Sequence, residues 1–511
     1  MTIFEHKFKR MPSIHNNPNV LVQYLQKPAS EFTKDDLIRY IEEREIEMLN
    51  FRYVAEDGKL KTINFMVTGR KELDMVLSSG ERVDGNSIFS FLEANSSDLY
   101  LVPRYKTAFL NPFAGIPSVD ILCSFFNKNG DPLESAPENI LKKAQKQFFK
   151  ETNMSLKMMG ELEYYVISSA NDEAELSENG YHGAEPFTRH EALRVEAIKL
   201  IARCGGQVRF GHAENGQFTH HGKYYEQHEI EFSPVDPEDA SDQLVIAKWI
   251  LRMLGLKYQV NITFIPKISL NQPGSGMHFH FLAEQSGKNR LVENGGLTPT
   301  SLKMIAGVLD LAPAITAFAN STPVSFLRML PGQQVPFQVC WGKQNRSALI
   351  RVPLGWNNNI SFGSLLNQQE QARTDYAFRQ TIEYRGSDGS ANPYLFSAAL
   401  IVGFMKGLSD PQAIKKADDY FCDENLFLKE LDVSGKESNY ELLPRSCYEA
   451  AEVLKNNRQY FEEDQIFPQS IINHTILKLR SFNDKELSAN FKTYGENQDL
   501  LDLIDEYLHY M

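Results

Sequence analysis

Four short stretches of this chain alternate apolar residues with carboxylates or imidazoles, and that alternation constrains the fold more than any other feature. They are GELEYYV around Glu161 and Glu163, QHEIEF around Glu229, GMHFH around His278 and His280, and TIEYR around Glu383 and Arg385. Side chains on a strand point to opposite faces with a period of two. Glu161 and Glu163 therefore share a face, as do His278 and His280, and Glu383 and Arg385. A sheet built from such strands cannot bury plain hydrocarbon on both sides. Like charges placed this way repel unless water or a cation lies beside them. A solvated sheet face meets that requirement, and so does a metal site.

The rest of the pattern predicts an α+β chain of two domains behind a polar arm at residues 1–30. Thr33 with Asp36 forms a capping-box start to a helix, DDLIRYIEEREIE. NFRYV and KTINFMV then alternate across Asp57-Gly58, which predicts a hairpin. These elements make a small module over 31–115, with Pro112, Pro117 and Asp131-Pro132 marking the passage to a larger domain over 116–511. That domain is expected to open with a helix, APENILKKAQKQFFKETN, and a strand, LKMMGELEYYVIS. Helices are expected near 187–204, 238–256, 300–319 and 393–408. Strands fall near 207–213, 227–232, 262–267, 276–283, 336–341, 347–352 and 381–385. The last hundred residues read as mainly helical. No internal repeat or low-complexity tract interrupts the chain.

With 511 residues, 42% of them hydrophobic and 23% charged, the chain has material for a large core. The length suggests about two to four domains. A net charge of −13 argues against nucleic acid or an anionic membrane surface as the main partner. Five scattered cysteines without CxxC spacing read as reduced thiols in a cytoplasmic protein. No secretory signal is expected, nor any apolar run approaching the roughly 18 residues of a membrane span.

The segment PKISLNQPGSGMHFH places a Gly274-Ser275-Gly276 turn directly before the two histidines. Glycine lets backbone approach a ligand closely there. Together with Glu161, Glu163, Glu214, Glu229 and Glu383, these histidines would suit two hard divalent cations such as Mg2+ or Mn2+. Arg328, Arg346, Arg351 and Arg385 lie among apolar segments, and buried guanidinium needs anionic partners. Metals combined with arginines point to phosphoryl transfer from a nucleotide, onto a carboxylate.

In order along the chain, VDGNSI, GSGMHFH, RMLPG, NRSALIR and EYR followed by ANPYL resemble the motifs of the glutamine synthetase family. The similarity extends over about residues 35–490. It implies a β-grasp-like N-terminal module and a catalytic domain that uses ATP to phosphorylate the γ-carboxylate of glutamate. Ammonia or an organic amine then displaces phosphate. By motif, Glu163, Glu214 and Glu229 would hold one metal, and Glu161, His278 and Glu383 the second. Arg328 and Arg385 would bind glutamate and the moving phosphoryl group, while Arg346 and Arg351 would stabilise charge leaving ATP. Gly274 would offer backbone to glutamate and His280 would face the nucleotide. The resemblance also implies a homo-oligomeric ring, a dodecamer, in which Asp84 of one subunit takes a proton from the amine in its neighbour's site.

The chain departs from the family pattern in four places. Glu214 and Glu229 lie fifteen residues apart, with QFTHHGKYY between them. That run reads as a loop insertion able to line an amine pocket, and a different alignment would put Gly222 at the ligand position. Gln334 stands where glutamine-forming relatives carry a lid glutamate, which keeps a larger amine in play. Pro273 replaces an asparagine before the glycine turn. The stretch from Arg351 to Glu383 is longer than expected, leaving the nucleotide-base contacts unplaced. Tyr440, near a tyrosine that some relatives adenylylate, reads as an ordinary exposed loop residue. A non-catalytic ring protein is the alternative to an enzyme.

Overall fold

A computed structural model describes residues 14–92, 97–170, 180–330, 335–355, 366–367, 379–428, 439–487 and 497–510. It divides into two compact units. One comprises the chain up to Ala55 with Leu60–Leu133 and Glu196–Gly206; the other comprises Glu56–Lys59, Glu134–Val195 and the chain from Gln207 onward.

In the first unit, the helix Lys34–Glu43 begins with the expected capping box, Thr33 and Asp36 each satisfying the other's backbone N–H. Six strands follow: β1 (Met48–Val54), β2 (Leu60–Met66), β3 (Glu81–Asp84), β4 (Asp98–Pro103), β5 (Phe109–Leu110) and β6 (Ser118–Phe126). They form one sheet in the order β2-β1-β6-β4-β3, with β5 paired to β6. β1 and β2 make the predicted hairpin, and Gly58 adopts the positive φ of 77° that its turn needs.

The boundary expected near residue 115 is corrected by β6. This strand pairs in parallel with β1, from Met48 opposite Ser118 to Arg52 opposite Leu122. The unit accordingly runs on to Leu133. Pro117 opens a central strand, which a proline tolerates because its own N–H is not required there. Its carbonyl accepts from the N–H groups of Glu47 and Met48. Beside it, the fully buried Asp120 accepts from Asn50 Nδ2 at 2.6 Å, Arg52 Nε at 2.7 Å and Asn111 Nδ2 at 3.0 Å.

The second unit is built on a nine-stranded sheet. Its long strands are β7 (Ser155–Ser169), β8 (Val208–His220) and β9 (Lys223–Phe232), joined by β10 (Asn261–Thr263), β11 (Met277–Gln285) and β12 (Lys288–Asn289). A separate ribbon pairs β13 (Val292–Glu293) with β14 (Gly296–Leu297). The short strands β15 (Trp341–Lys343), β16 (Ile350–Val352) and β17 (Ile382–Tyr384) complete the order β15-β16-β17-β11-β7-β9-β8. These last three are shorter than the sequence suggests.

Helices Pro237–Tyr258, Pro299–Ala319 and Pro393–Ser409 follow the expected spans closely and carry long buried faces. Pro299–Ala319 corrects the expectation of no membrane-length apolar run, since it is long and apolar enough to qualify. It is 83% buried and serves as a core helix. A Cβ on Gly307 would lie 2.2 Å from the Gly403 carbonyl oxygen, so the helices Pro299–Ala319 and Pro393–Ser409 touch backbone to backbone.

Removing the acceptor of the buried Arg52 strips a charge of its counterion, which typically costs about 3–5 kcal/mol. Asp120→Ala is expected to lower the stability of the first unit by that order, with Asp120→Asn costing less. Urea unfolding followed by the fluorescence of the whole chain checks it; a loss within about 0.5 kcal/mol would contradict the assigned role.

Candidate active site

Strand register assembles the acidic cluster. Glu383 of β17 lies opposite His280 of β11, His278 opposite Glu161 of β7, Glu163 opposite Glu229 of β9, and Glu229 opposite His212 of β8. Charged residues two apart on each strand thus form a continuous row across five neighbouring strands.

Glu214 reaches this row by a break in the pattern. Ala213 pairs with His228 and Gln217 with Glu226, so three residues on β8 lie opposite one on β9. The bulge frees Glu214 from the two-residue alternation. Glu214 lines the same cavity as Glu161, Glu163 and Glu229. Gly222, its alternative, sits at the hairpin tip with φ 72° and no heavy atom within 4 Å of where its Cβ would be. Of the two, Glu214 is the one that lines the cavity.

The cavity measures about 600 Å3, and besides the carboxylates it is lined by Gln227, Gly274, His278, Arg328, Arg346 and Arg385. His278 sits centrally, with Nδ1 3.1 Å from Glu161 and 3.6 Å from Glu383, and Nε2 3.8 Å from Glu163. His280, expected to face the nucleotide, lies in the cluster beside His278. Its Nε2 lies 2.8 Å from Glu161 and its Nδ1 2.7 Å from the Thr381 hydroxyl, so both ring nitrogens are engaged. Two groups of potential ligand atoms lie within 4.8 Å of one another: Glu161 with His280 and Glu383, and His212 with Glu214 and Glu229.

Electrostatics divides the cluster into two halves. Burial disfavours the charge on Glu161, but the imidazoles of His280 and His278 hold it well below the ordinary carboxylate range. Glu383 is likewise lowered against its burial, chiefly by Arg385. Glu229 goes the other way. Burial, then the charges of Glu161, Glu163, Glu214 and Glu231, push it well above the usual range. Glu214 is also raised, by burial and by Glu163. The side around Glu229 is short of positive charge.

The arginines arrive from separate loops. Arg328, at the end of the helix Pro323–Arg328, is buried and donates to the Ser387 carbonyl at 3.2 Å. Arg385 and Arg351 grip Glu383 at 2.5 and 3.0 Å. Arg346 stands exposed on the turn between β15 and β16. The Nε atoms of Arg328, Arg351 and Arg385 are buried without an acceptor. Buried donors are normally satisfied, which makes these three candidates for ligand contact.

The glycine turn is braced from beneath by residues that motif reading did not single out. Gln227 Nε2 donates to Glu163 and to the Gly274 carbonyl, both at 3.1 Å. The Gly276 N–H donates to Glu163 at 2.6 Å, and Tyr165 donates to the Pro273 carbonyl at 2.8 Å. A Cβ on Gly274 would lie 2.6 Å from the Pro266 carbonyl oxygen and 2.9 Å from Arg328 Cγ, so only glycine fits.

QFTHHGKYY does not form the expected loop beside the carboxylates. It extends β8 and β9 into a long hairpin, where Phe218 stacks on Tyr225 at 4.9 Å and both pack with Tyr165 and Ile167. Another aromatic group takes the place next to Glu229. His212 lies 3.7 Å from that carboxylate, His182 4.4 Å from His212 between ring centroids, and Tyr181 is stacked on His182. Tyr181 follows a long gap in the strand pattern, and no spacing rule pointed to it.

Gln334 lies outside the described residues. Asp84, in the first unit, is exposed. Hydrogen bonds from the Ser87 hydroxyl, then from Ser97 and the Asn86 N–H, hold its carboxyl below the ordinary range. Tyr440 is half-buried, donates to the Phe421 carbonyl at 2.9 Å and packs on a core cluster, so it is a tether rather than an exposed loop residue.

The chain matches the glutamine synthetase β-grasp domain over residues 45–128 and the glutamine synthetase catalytic domain over residues 134–494. It belongs to the glutamine synthetase family. Glutamine synthetase of Methanococcus voltae is 26% identical over 469 residues, spanning 88% of this chain and 95% of its own. Glutamine synthetase of Staphylococcus aureus is 26% identical over 440 residues, with 84% and 90% covered. Among solved structures, Plasmodium falciparum glutamine synthetase superposes with a TM-score of 0.72 at 20% identity, covering 93% of this chain and 99% of its own. Ligand-free GmaS does so at 0.69 and 18%, covering 91% and 98%. Both likenesses speak to the fold.

Family membership carries ATP-dependent ligase chemistry and divalent metals with it. The residues present fit a hard cation: four carboxylates and His278 line the cavity with Glu383 3.6 Å from that imidazole, and the raised Glu229 records crowded negative charge. In metal-free protein, the cost of ionising Glu229 grows as pH rises from the ordinary carboxylate range through its raised folded value. Glu229→Gln removes that cost. It is expected to raise the melting temperature of the metal-free protein at neutral pH and to shrink the stabilisation given by Mn2+. Thermal denaturation with and without Mn2+ reads both. An unchanged Mn2+ shift would remove Glu229 from the metal site.

Proposed function

We propose that this protein joins an amine to the γ-carboxylate of glutamate at the expense of ATP, through a γ-glutamyl phosphate. One observation carries the reading: a single cavity holds the carboxylate cluster with Arg328, Arg346 and Arg385. Glu163, Glu214 and Glu229 would hold one Mg2+ or Mn2+, with His212 at hand. Glu161, His278 and Glu383 would hold the other, with His280 fixing Glu161. Bound cations would neutralise the phosphates and the phosphoryl group in transfer.

The chain's own groups do the rest. Arg328 and Arg385 would bind the glutamate carboxylate and the transferred phosphoryl, a reading supported by their buried Nε–H groups without acceptors. Arg346, unencumbered on its turn, would meet charge leaving ATP, and Arg351 would support it from Glu383. Removing one such donor typically costs about 3–4 kcal/mol of barrier. Gly274 offers close backbone approach. The GmaS structures include a complex with ADP, in keeping with a nucleotide substrate for this fold.

The amine is assigned as organic rather than ammonia. Gln334 lacks the negative charge that would attract ammonium and take its proton. Tyr181, His182 and His212 present ring surface beside Glu229. Each methylene buried on such a surface is worth about 0.8 kcal/mol, roughly fourfold in kcat/KM. Asp84, delivered by a neighbouring subunit of a homo-oligomeric ring, a dodecamer, would accept the amine proton.

Phosphate release from ATP with glutamate and a panel of amines tests the reaction. Release is expected to require glutamate and to be faster with at least one organic amine than with ammonia. Gln334→Glu should improve ammonia use, and sedimentation should show a ring. Efficient wild-type use of ammonia, impaired by the substitution, would overturn the amine assignment; a fully active monomer would overturn the role given to Asp84.

A further inference from the structure

Two of the five cysteines, distant in sequence, share one buried cluster with Ala348 and Leu426, and Tyr440 packs against it. Cys340 directly precedes β15, and Cys422 follows the helix Ala413–Asp419. Backbone bonds tie the two segments together: the Trp341 N–H donates to the Tyr420 carbonyl at 3.0 Å and the Cys422 N–H to the Trp341 carbonyl at 2.8 Å. The two side chains meet within that cluster, and the Cys422 thiol also donates to the Glu424 carbonyl at 3.5 Å. We propose that Cys340 and Cys422 form a reversible dithiol–disulfide site, with Cys422 the thiol that first attacks a small peroxide and Cys340 the resolving thiol.

The two sulfurs are unequal. Cys340, with the Tyr440 hydroxyl adding to it, outweighs burial and lowers Cys422 to about 6, which favours its thiolate over that of the other cysteines. Cys340 is pushed up by Cys422 and by burial. Cys204 and Cys447 are both raised by burial. Reactivity of cysteine follows thiolate character and access. Cys422 is itself buried but stands in an exposed stretch with Phe421, Asp423 and Glu424, whereas the residues on either side of Cys340 are buried.

The chemistry balances with hydrogen peroxide as oxidant. The Cys422 thiolate attacks one peroxide oxygen, forming an S–O bond as the O–O bond breaks and hydroxide leaves. Cys340 then attacks the sulfenyl sulfur. The S–S bond forms, the S–O bond breaks, and the departing hydroxide takes the Cys340 proton to become water. An external dithiol reverses the bond by exchange.

The crosslink would be felt at Arg346. Asn345 Nδ2 donates to the Cys422 carbonyl at 3.2 Å and to the Glu424 carbonyl at 2.8 Å. The Ser347 hydroxyl accepts from the Leu426 N–H at 2.9 Å. Both neighbours of Arg346 are therefore fastened to the segment that bears Cys422, and Phe427, next to Leu426, lines the cavity. Drawing the sulfurs to a bond of about 2.05 Å shifts that segment. This effect on turnover rests on the function proposed above; the disulfide itself does not.

The test treats the full-length protein with hydrogen peroxide, alkylates it with iodoacetamide under denaturing conditions, and maps the peptides by mass. The expected product is one linked pair containing Cys340 and Cys422, restored to free thiols by dithiothreitol. Phosphate release should fall roughly 10- to 100-fold on oxidation, the scale of a small misplacement in an active site, and recover on reduction. In Cys340→Ser, dimedone should label Cys422, while Cys447→Ser should leave the linkage intact. Alkylation of both cysteines after oxidation, or a different pairing, would overturn the site. A linkage with unchanged turnover would overturn its coupling to Arg346, and an unlabelled Cys422 in folded Cys340→Ser would overturn the order of attack.

Discussion

Strand register brings like charges side by side in the middle of a folded sheet, and the surrounding structure answers that single cost. Glu163 and Glu229 are direct cross-strand partners, as are Glu161 and Glu231. Opposed like charges destabilise a strand pair. The site compensates unevenly: imidazoles and guanidinium groups crowd around Glu161 and Glu383, whereas among the described residues Glu229 has only His212, at 3.7 Å. The half left uncompensated is where an outside cation gains most. Stability is given up at the place where binding energy is to be collected.

The arginines follow the same logic with the opposite sign. Arg385 and Arg351 share one carboxylate, yet each keeps a buried Nε without an acceptor, as does Arg328. A buried donor left unmet costs about 1–3 kcal/mol. Such donors are tolerable at Arg328 and Arg385, which line the cavity, if an anionic ligand meets them. Their rigidity comes from the backbone: Arg328 is held by the Ser387 carbonyl, and Ser387 in turn donates to the Met277 carbonyl at 2.6 Å, tying the arginine to the strand that carries His278.

The sequence made the sheet legible because its alternation is strict in GELEYYV, QHEIEF and GMHFH. Helices with clear caps or apolar spans, such as Lys34–Glu43 and Pro393–Ser409, were equally plain. What escaped was set by distant pairing. β6 belongs to the first unit because it finds β1, a choice invisible in the prolines around it. The apolar surface of Pro299–Ala319 reads as interior once two glycine-lined helices meet. The motif set His280 toward the nucleotide, and its hydrogen bonds to Glu161 and Thr381 had no signature in the sequence. Cys340 and Cys422 had no spacing to betray them.

Glu214 shows why the chemistry is harder to read than the fold. Fifteen residues separate it from Glu229, and hairpin geometry alone would carry it away with the strand's own alternation. The extra residues between Ala213 and Gln217 lift it out of the ladder and return it to the carboxylate row. QFTHHGKYY then lengthens the hairpin beyond the site without disturbing it, because the lengthening is paired: Phe218 faces Tyr225, Thr219 faces Tyr224 and His220 faces Lys223. A local rule was broken at one position, and the break is what completes the site. Alternation therefore locates the sheet face on which such a site can form, while the departures from it mark the residues that face was bent to admit.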